Sequence, residues 1–162
     1  ASMRHFFPQQ RKQRLSEEEM DDLVKEYNTS LDVKLCRQTA ASWVYPVDRE
    51  VRKYQLDIAQ KCLTRNTLVI LPTGLGKTFI ASVVMYNFYR WYPKGKILFL
   101  APTKPLVTQQ IRAFHNVVHI PRNHSHRMFG KVSKQKRKKV WADTSVRVLF
   151  CTAQTLQSDI NS

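Results

Sequence analysis

Residues 68–78 read Leu-Val-Ile-Leu-Pro-Thr-Gly-Leu-Gly-Lys-Thr, an apolar run followed at once by two closely spaced glycines, a lysine and a threonine. Few segments constrain a fold as tightly. The apolar run predicts a strand over Leu68–Leu71 and the residues after Lys77 predict a helix, the layout that a phosphate-binding loop requires. Gly74 and Gly76 allow the backbone to turn successive N–H groups toward a phosphate. Lys77 brings a point charge to β and γ phosphates. Thr78 offers a hydroxyl to Mg²⁺ at a helix N-terminus that itself favours anions. The general pattern opens with a glycine five residues before Gly76, where this chain has Leu71. Pro72, Thr73, Gly74, Leu75, Gly76, Lys77 and Thr78 together define a nucleotide site.

The flanking sequence supplies the fold class. Asp48 to Leu63 predicts a helix with Val51, Tyr54, Ile58 and Cys62 on one side, and Lys77 to Trp91 predicts another. Ile97–Ala101 is a second expected strand, followed by a helix from Pro105 to about Val118. A basic helix near Ser133 to Ala142, a strand at Val146–Thr152 and a helix beginning near Gln154 complete the run. Short apolar strands alternating with helices predict an α/β fold with a mainly parallel sheet flanked by helices. Ahead of this block, residues 1–15 are basic and Gln-rich without periodicity and read as a disordered tail. Residues 16–47 read as a helical extension or connector. It opens with Ser16 and Glu19 as a capping box for a helix from Glu17 to Tyr27.

Net charge is +15, which directs attention to polyanions and to nucleic acid above all. Lys131, Lys134, Lys136, Arg137, Lys138 and Lys139 form the densest part of it, beside Trp141. This cluster reads as a phosphate-tracking surface, a nuclear import signal or a solvated helix face. No apolar run is long enough to span a bilayer, so no membrane partner is expected. Cys36, Cys62 and Cys151 are odd in number and far apart, which argues against a disulfide framework and for a reducing compartment.

Pro72–Thr78 resembles motif I of superfamily 2 helicases, and Ala101-Pro-Thr-Lys-Pro-Leu-Val-Thr-Gln-Gln110 resembles their motif Ia. Val51-Arg-Lys-Tyr-Gln55 is similar to the upstream segment whose glutamine reads adenine. With Tyr86-Asn-Phe-Tyr-Arg-Trp91, the set resembles the Fanconi anaemia group M translocases and their archaeal Hef relatives over about Val47 to Ser162. The resemblance implies a RecA-like P-loop NTPase lobe that uses ATP and Mg²⁺ and works in the nucleus with a second lobe. It also implies action on branched or forked DNA in repair, with complex partners that engage other regions. Thr103 and Lys104 would then meet the DNA backbone, where a hydroxyl and an ammonium hold phosphates without reading sequence. Thr152 and Gln154 stand where the family carries Thr-Pro-Gln, with Ala153 in place of proline. Near Gly130, Phe129 replaces the family's threonine.

Hydrolysis needs carboxylates for the metal and the attacking water, and the family supplies them from an Asp-Glu-Ala-His motif that this sequence does not contain. Asp143 and Asp159 read as isolated surface acids or caps. The expectation is a partial first lobe, residues 48–162, that binds ATP through Gln55, Lys77 and Thr78 without turning it over. DNA contacts are expected from Thr103, Lys104, Lys134, Arg137, Lys138, Thr152 and Gln154. His115, His119, His124 and His126 lack accompanying cysteines or carboxylates and read as surface or packing residues. The aromatic group from Tyr86 to Tyr92 reads as core packing. Two alternatives remain: a lobe of a double-stranded RNA-type helicase, and a basic nucleic-acid-binding module with a vestigial nucleotide site.

Overall fold

The computed structural model describes residues 10–21, 34–48 and 50–161, which fall into two compact units. The first comprises the described residues up to Gly95 with Val117–His119, and the second Lys96–Asn116 with the described residues from Ile120 onward.

The first unit opens with a finding the sequence concealed. β1 (Gln10–Arg14) is a strand within the stretch expected to be a tail, paired antiparallel to β2 (Ser42–Pro46) with Gln10 opposite Pro46 and Arg14 opposite Ser42. Trp43, Val44 and Tyr45 are all buried. A strand covered on both faces shows no alternation, so β2 gave no period to read. The capping box forms as expected: Ser16 N–H donates to Glu19 Oε2 at 2.9 Å and Glu19 N–H to Ser16 Oγ at 3.1 Å. The helix it opens is seen over residues 17–21, and the rest of its expected span lies outside the described residues.

A short α1 (Arg37–Ala40) leads into β2, and α2 (Lys53–Thr64) follows it. α2 begins five residues later than the expected Asp48, because Arg52 is still extended and Val51 stays exposed. α3 (Lys77–Trp91) packs against α2 and β2. Its Asn87, fully buried, takes the place of a neighbouring strand. Asn87 Oδ1 accepts from Val44 N–H at 2.8 Å and its Nδ2 donates to Val44 C=O at 2.9 Å. Such pairing satisfies backbone groups of β2 that burial would otherwise penalise. The aromatic group on α3 packs inward as expected. Trp91 is wholly buried with its indole N–H on Ser42 C=O at 3.1 Å, and Tyr86 is buried as well.

The second unit carries the parallel sheet, in the order β3–β5–β4, formed by β3 (Ile97–Leu100), β4 (Ser125–Arg127) and β5 (Val148–Cys151). β5 is central and buried on both faces. Phe150 stacks toward Phe99 and Phe114 at 5.4 and 5.5 Å, while Leu149 and Cys151 face a cluster with Val140, Trp141 and Leu156. α4 (Lys104–Val117), α5 (Lys134–Ala142) and α6 (Ala153–Ile160) complete the unit. β4 replaces the loop expected around His124 and His126; three residues, two of them exposed, are too short a run to show a period. The strand expected at Leu68–Leu71 is absent. Those residues carry no ladder among the described residues, and Leu68 and Ile70 are 85% and 82% exposed.

Candidate nucleotide site and candidate nucleic-acid interface

In the first unit, Gly74 and Gly76 adopt φ of 85° and 88°, the left-handed region that costs other residues a steric penalty. Gly76 is the residue from which α3 springs, and Lys77 begins the helix. A Cβ at Gly76 would lie 2.3 Å from Gln55 Nε2, so a side chain there would push the Gln55 amide aside besides meeting the cost of that φ. Gln55 is buried and donates from Nε2 to Leu75 C=O at 3.1 Å. Tyr54 adds its hydroxyl to the same carbonyl at 3.0 Å.

The expected adenine reader is thus built into the wall of the phosphate loop. Tyr54, expected only on one side of a helix, joins the site beside it. Its position next to Gln55 was the available signal. Lys77 Nζ donates to Leu71 C=O at 2.6 Å and Pro72 C=O at 3.1 Å, reaching across the mouth of the loop. Thr73 and Gly74 are exposed and Thr78 half-buried.

In the second unit, parallel pairing brings the carboxyl ends of β3, β4 and β5 to one edge, where ligands of open α/β sheets collect. The turn after β3 presents Thr103 and Lys104, both exposed; Thr103 Oγ1 accepts from Leu106 N–H at 3.4 Å and keeps its own proton to donate. The loop after β5 differs from expectation. Thr152 is buried and its hydroxyl caps α6, accepting from Thr155 N–H at 3.3 Å, so Ala153 and Gln154, in the first turn of α6, are what this end of the strand exposes.

Among the basic residues of α5 and the turn before it, Lys131, Lys134, Lys136, Lys138 and Lys139 are exposed. Arg137 corrects its assignment as a DNA contact. Its side chain is 4% exposed and its Nη2 lies 2.6 Å from Asp159 Oδ1. Asp159, expected on the surface, is the buried partner, and Trp141 Nε1 donates to its other oxygen at 3.0 Å. Burial raises the Asp159 carboxyl, but the hydrogen bonds from Arg137 and Trp141 outweigh it and hold it below the usual carboxylate range. Asp143, by contrast, is exposed and accepts from Ser145 N–H and Oγ at 2.8 and 2.7 Å. His115 Nε2 lies 2.7 Å from Ser125 Oγ, a packing contact. No metal-competent group of three or more His, Cys, Asp or Glu occurs among the described residues, and none of their helices is long and apolar enough to cross a membrane.

Residues 48–162 match the family described as type III restriction enzyme, res subunit. The mouse Fanconi anemia group M protein homolog is 54% identical over 129 residues, covering 80% of this chain and 6% of its own length. The ATP-dependent DNA helicase fml1 of Schizosaccharomyces pombe is 48% identical over 130 residues, 80% of this chain and 15% of its own. This chain therefore spans a small part of the relatives it matches. Among solved structures, the Pyrococcus furiosus Hef helicase domain superposes with a TM-score of 0.62 at 39% identity, over 68% of this chain and 23% of that one.

Proposed function

We propose, for a chain that belongs to the family described as type III restriction enzyme, res subunit, that it is the nucleotide-binding lobe of an ATP-dependent DNA helicase or translocase. The observation that carries this reading is the loop whose two left-handed glycines are walled by Gln55 and Tyr54 at the start of α3. One relative is named an ATP-dependent DNA helicase and another a Fanconi anemia group M protein homolog; the branched or forked DNA, the repair setting and the nucleus are part of our proposal, taken from the motif resemblance.

Within this reading the backbone N–H groups around Gly74 and Gly76 hold the phosphates. Lys77 leaves the Leu71 and Pro72 carbonyls to meet them. Gln55 turns toward adenine. The loop fits a nucleotide with its metal, since its two left-handed glycines stand at the start of α3, the helix end that favours anions. Thr78 would hold Mg²⁺, which neutralises charge on the β and γ oxygens. The sequence holds no Asp-Glu-Ala-His motif, so these 162 residues bind ATP without turning it over. At the carboxyl edge of the sheet, Thr103, Lys104 and Gln154 take DNA phosphates, with Lys134 and Lys138 beside them.

Thermal unfolding with Mg-ADP, with Lys77→Ala as control, tests the nucleotide site. At about a hundredfold the dissociation constant, stabilisation of about 2.7 kcal/mol is expected for the unaltered chain and none for the variant. Equal behaviour of the two would sink the reading in favour of a basic binding module. In the full-length protein, ATPase stimulation by forked DNA is expected, and stimulation by duplex RNA alone would replace DNA with RNA.

A further inference from the structure

The basic run on α5 contains one residue that does not behave like its neighbours. The surrounding lysines are exposed, whereas Arg137 is 3% exposed. On a helix Arg137 and Trp141 share a face, and that face meets Asp159 on α6. All three nitrogens of the guanidinium are engaged. Nε donates to Asp159 Oδ1 at 2.6 Å and Nη2 approaches the same oxygen at 2.6 Å. Nη1 donates to Val132 C=O and, at 3.5 Å, to Gly130 C=O. One side chain thus joins the turn after β4 to α6. Gly130 also lies close to the start of α6, where a Cβ added to it would come 3.7 Å from Thr155 Oγ1, and Thr155 in turn bonds Thr152.

A buried ion pair is a poor way to gain stability, because apolar residues of equal volume do as well or better. What it supplies is geometry. A planar fork can hold a carboxylate and two backbone carbonyls in fixed directions, which a lysine's single ammonium cannot reproduce. We propose that Arg137 is a positioning residue for DNA binding: it clasps the Gly130–Val132 turn to α6, so that the loops following β4 and β5 act as one phosphate-binding edge. The inference rests on the reading of that edge as the DNA face. It gives Arg137 a role distinct from direct phosphate contact, the role its charge alone suggests.

Arg137→Lys in the full-length protein separates the two. Forked-DNA affinity by anisotropy, Mg-ADP affinity and chemical unfolding are measured together. The clasp predicts DNA binding weakened about tenfold, the worth of one charge-assisted hydrogen bond, with Mg-ADP affinity and cooperative unfolding unchanged. Wild-type DNA affinity would overturn it, because a lysine satisfies a plain phosphate contact. Loss of cooperative unfolding or of Mg-ADP binding would also overturn it, making Arg137 a general fold residue. Trp141→Phe keeps a ring but removes the N–H to Asp159, and a weakening of about threefold is expected from the loss of that one bond; unchanged affinity counts against the clasp. Failure of the unaltered protein to bind DNA would instead remove the reading on which the clasp rests.

Discussion

Replacing Gly76 by alanine tests the wall of the phosphate loop with an effect that can be worked out beforehand. The backbone there sits at φ 88°, and holding a non-glycine residue in the left-handed region costs about 1–2 kcal/mol. The added Cβ would also stand 2.3 Å from Gln55 Nε2 and 3.3 Å from its Cδ. Gln55 must therefore leave Leu75 C=O, which adds about 1–2 kcal/mol for a part-buried hydrogen bond lost, the carbonyl keeping its bond from Tyr54. Gly74 provides the control: φ is 85° but a Cβ there meets nothing within 4 Å, so only the backbone cost applies. Gly76→Ala is expected to destabilise by about 2–4 kcal/mol and Gly74→Ala by about 1–2 kcal/mol, read as urea midpoints at constant slope. Because the extra cost passes through one side chain, adding Gln55→Ala to Gly76→Ala should cost less than the two changes summed. The expected coupling is about 1–2 kcal/mol. Equal costs for the two glycines, or strict additivity with Gln55→Ala, would refute the contact between Gln55 and the loop.

Asp159→Ala strands a buried guanidinium and is expected to cost about 3–5 kcal/mol in urea unfolding. Since the Asp159 carboxyl is held low in the folded state, the unfolded chain takes up the proton first. The stabilisation is complete above the ordinary carboxylate value of about 3.9 and is lost as pH falls through the lower folded value. Below about pH 4 the unaltered chain should lose stability more steeply than Asp159→Asn; parallel curves would deny the pair. Asn87→Leu keeps volume but removes the bonds to Val44, and a loss of about 3 kcal/mol by the same assay is expected. A cost under about 0.5 kcal/mol would mean β2 does not depend on Asn87. Leu68→Ser and Ile70→Ser should each change stability by under about 0.5 kcal/mol, because both side chains are exposed. A cost of about 2–5 kcal/mol would place them in a packed strand.

What could be read from the sequence was mainly what local chemistry dictates. The capping box, the helix opening at Lys77 and the strands at Ile97 and near Val148 depend on residues within a turn or two of themselves, and all are found. The features that escaped depend on distant partners. β1 is polar throughout and becomes a strand only because β2, some thirty residues on, gives it a ladder. Arg137 looked like one cation in a run of six, and nothing nearby revealed that Asp159, on another helix, would turn it inward. Thr152 resembled a contact residue, yet at the start of α6 its hydroxyl serves the helix first.

The phosphate loop divides along the same line. Its closing half is fixed by contacts the sequence places nearby or on the adjoining helix: the left-handed glycines, the start of α3 and the two donors on Leu75 C=O. Its opening half, Leu68–Leu71, has the composition of a buried strand, but a strand is made by neighbours and these residues have no ladder among the described residues. Lys77 bridges the two halves by holding the carbonyls of Leu71 and Pro72. A nucleotide that draws Lys77 onto its phosphates removes that bridge, so part of its binding free energy goes into releasing the loop's own carbonyls. Under the proposed nucleotide reading, Lys77 contributes the phosphate contacts it gains less the carbonyl contacts it gives up, and Lys77→Ala is expected to abolish binding because it removes the charge that the phosphates would meet.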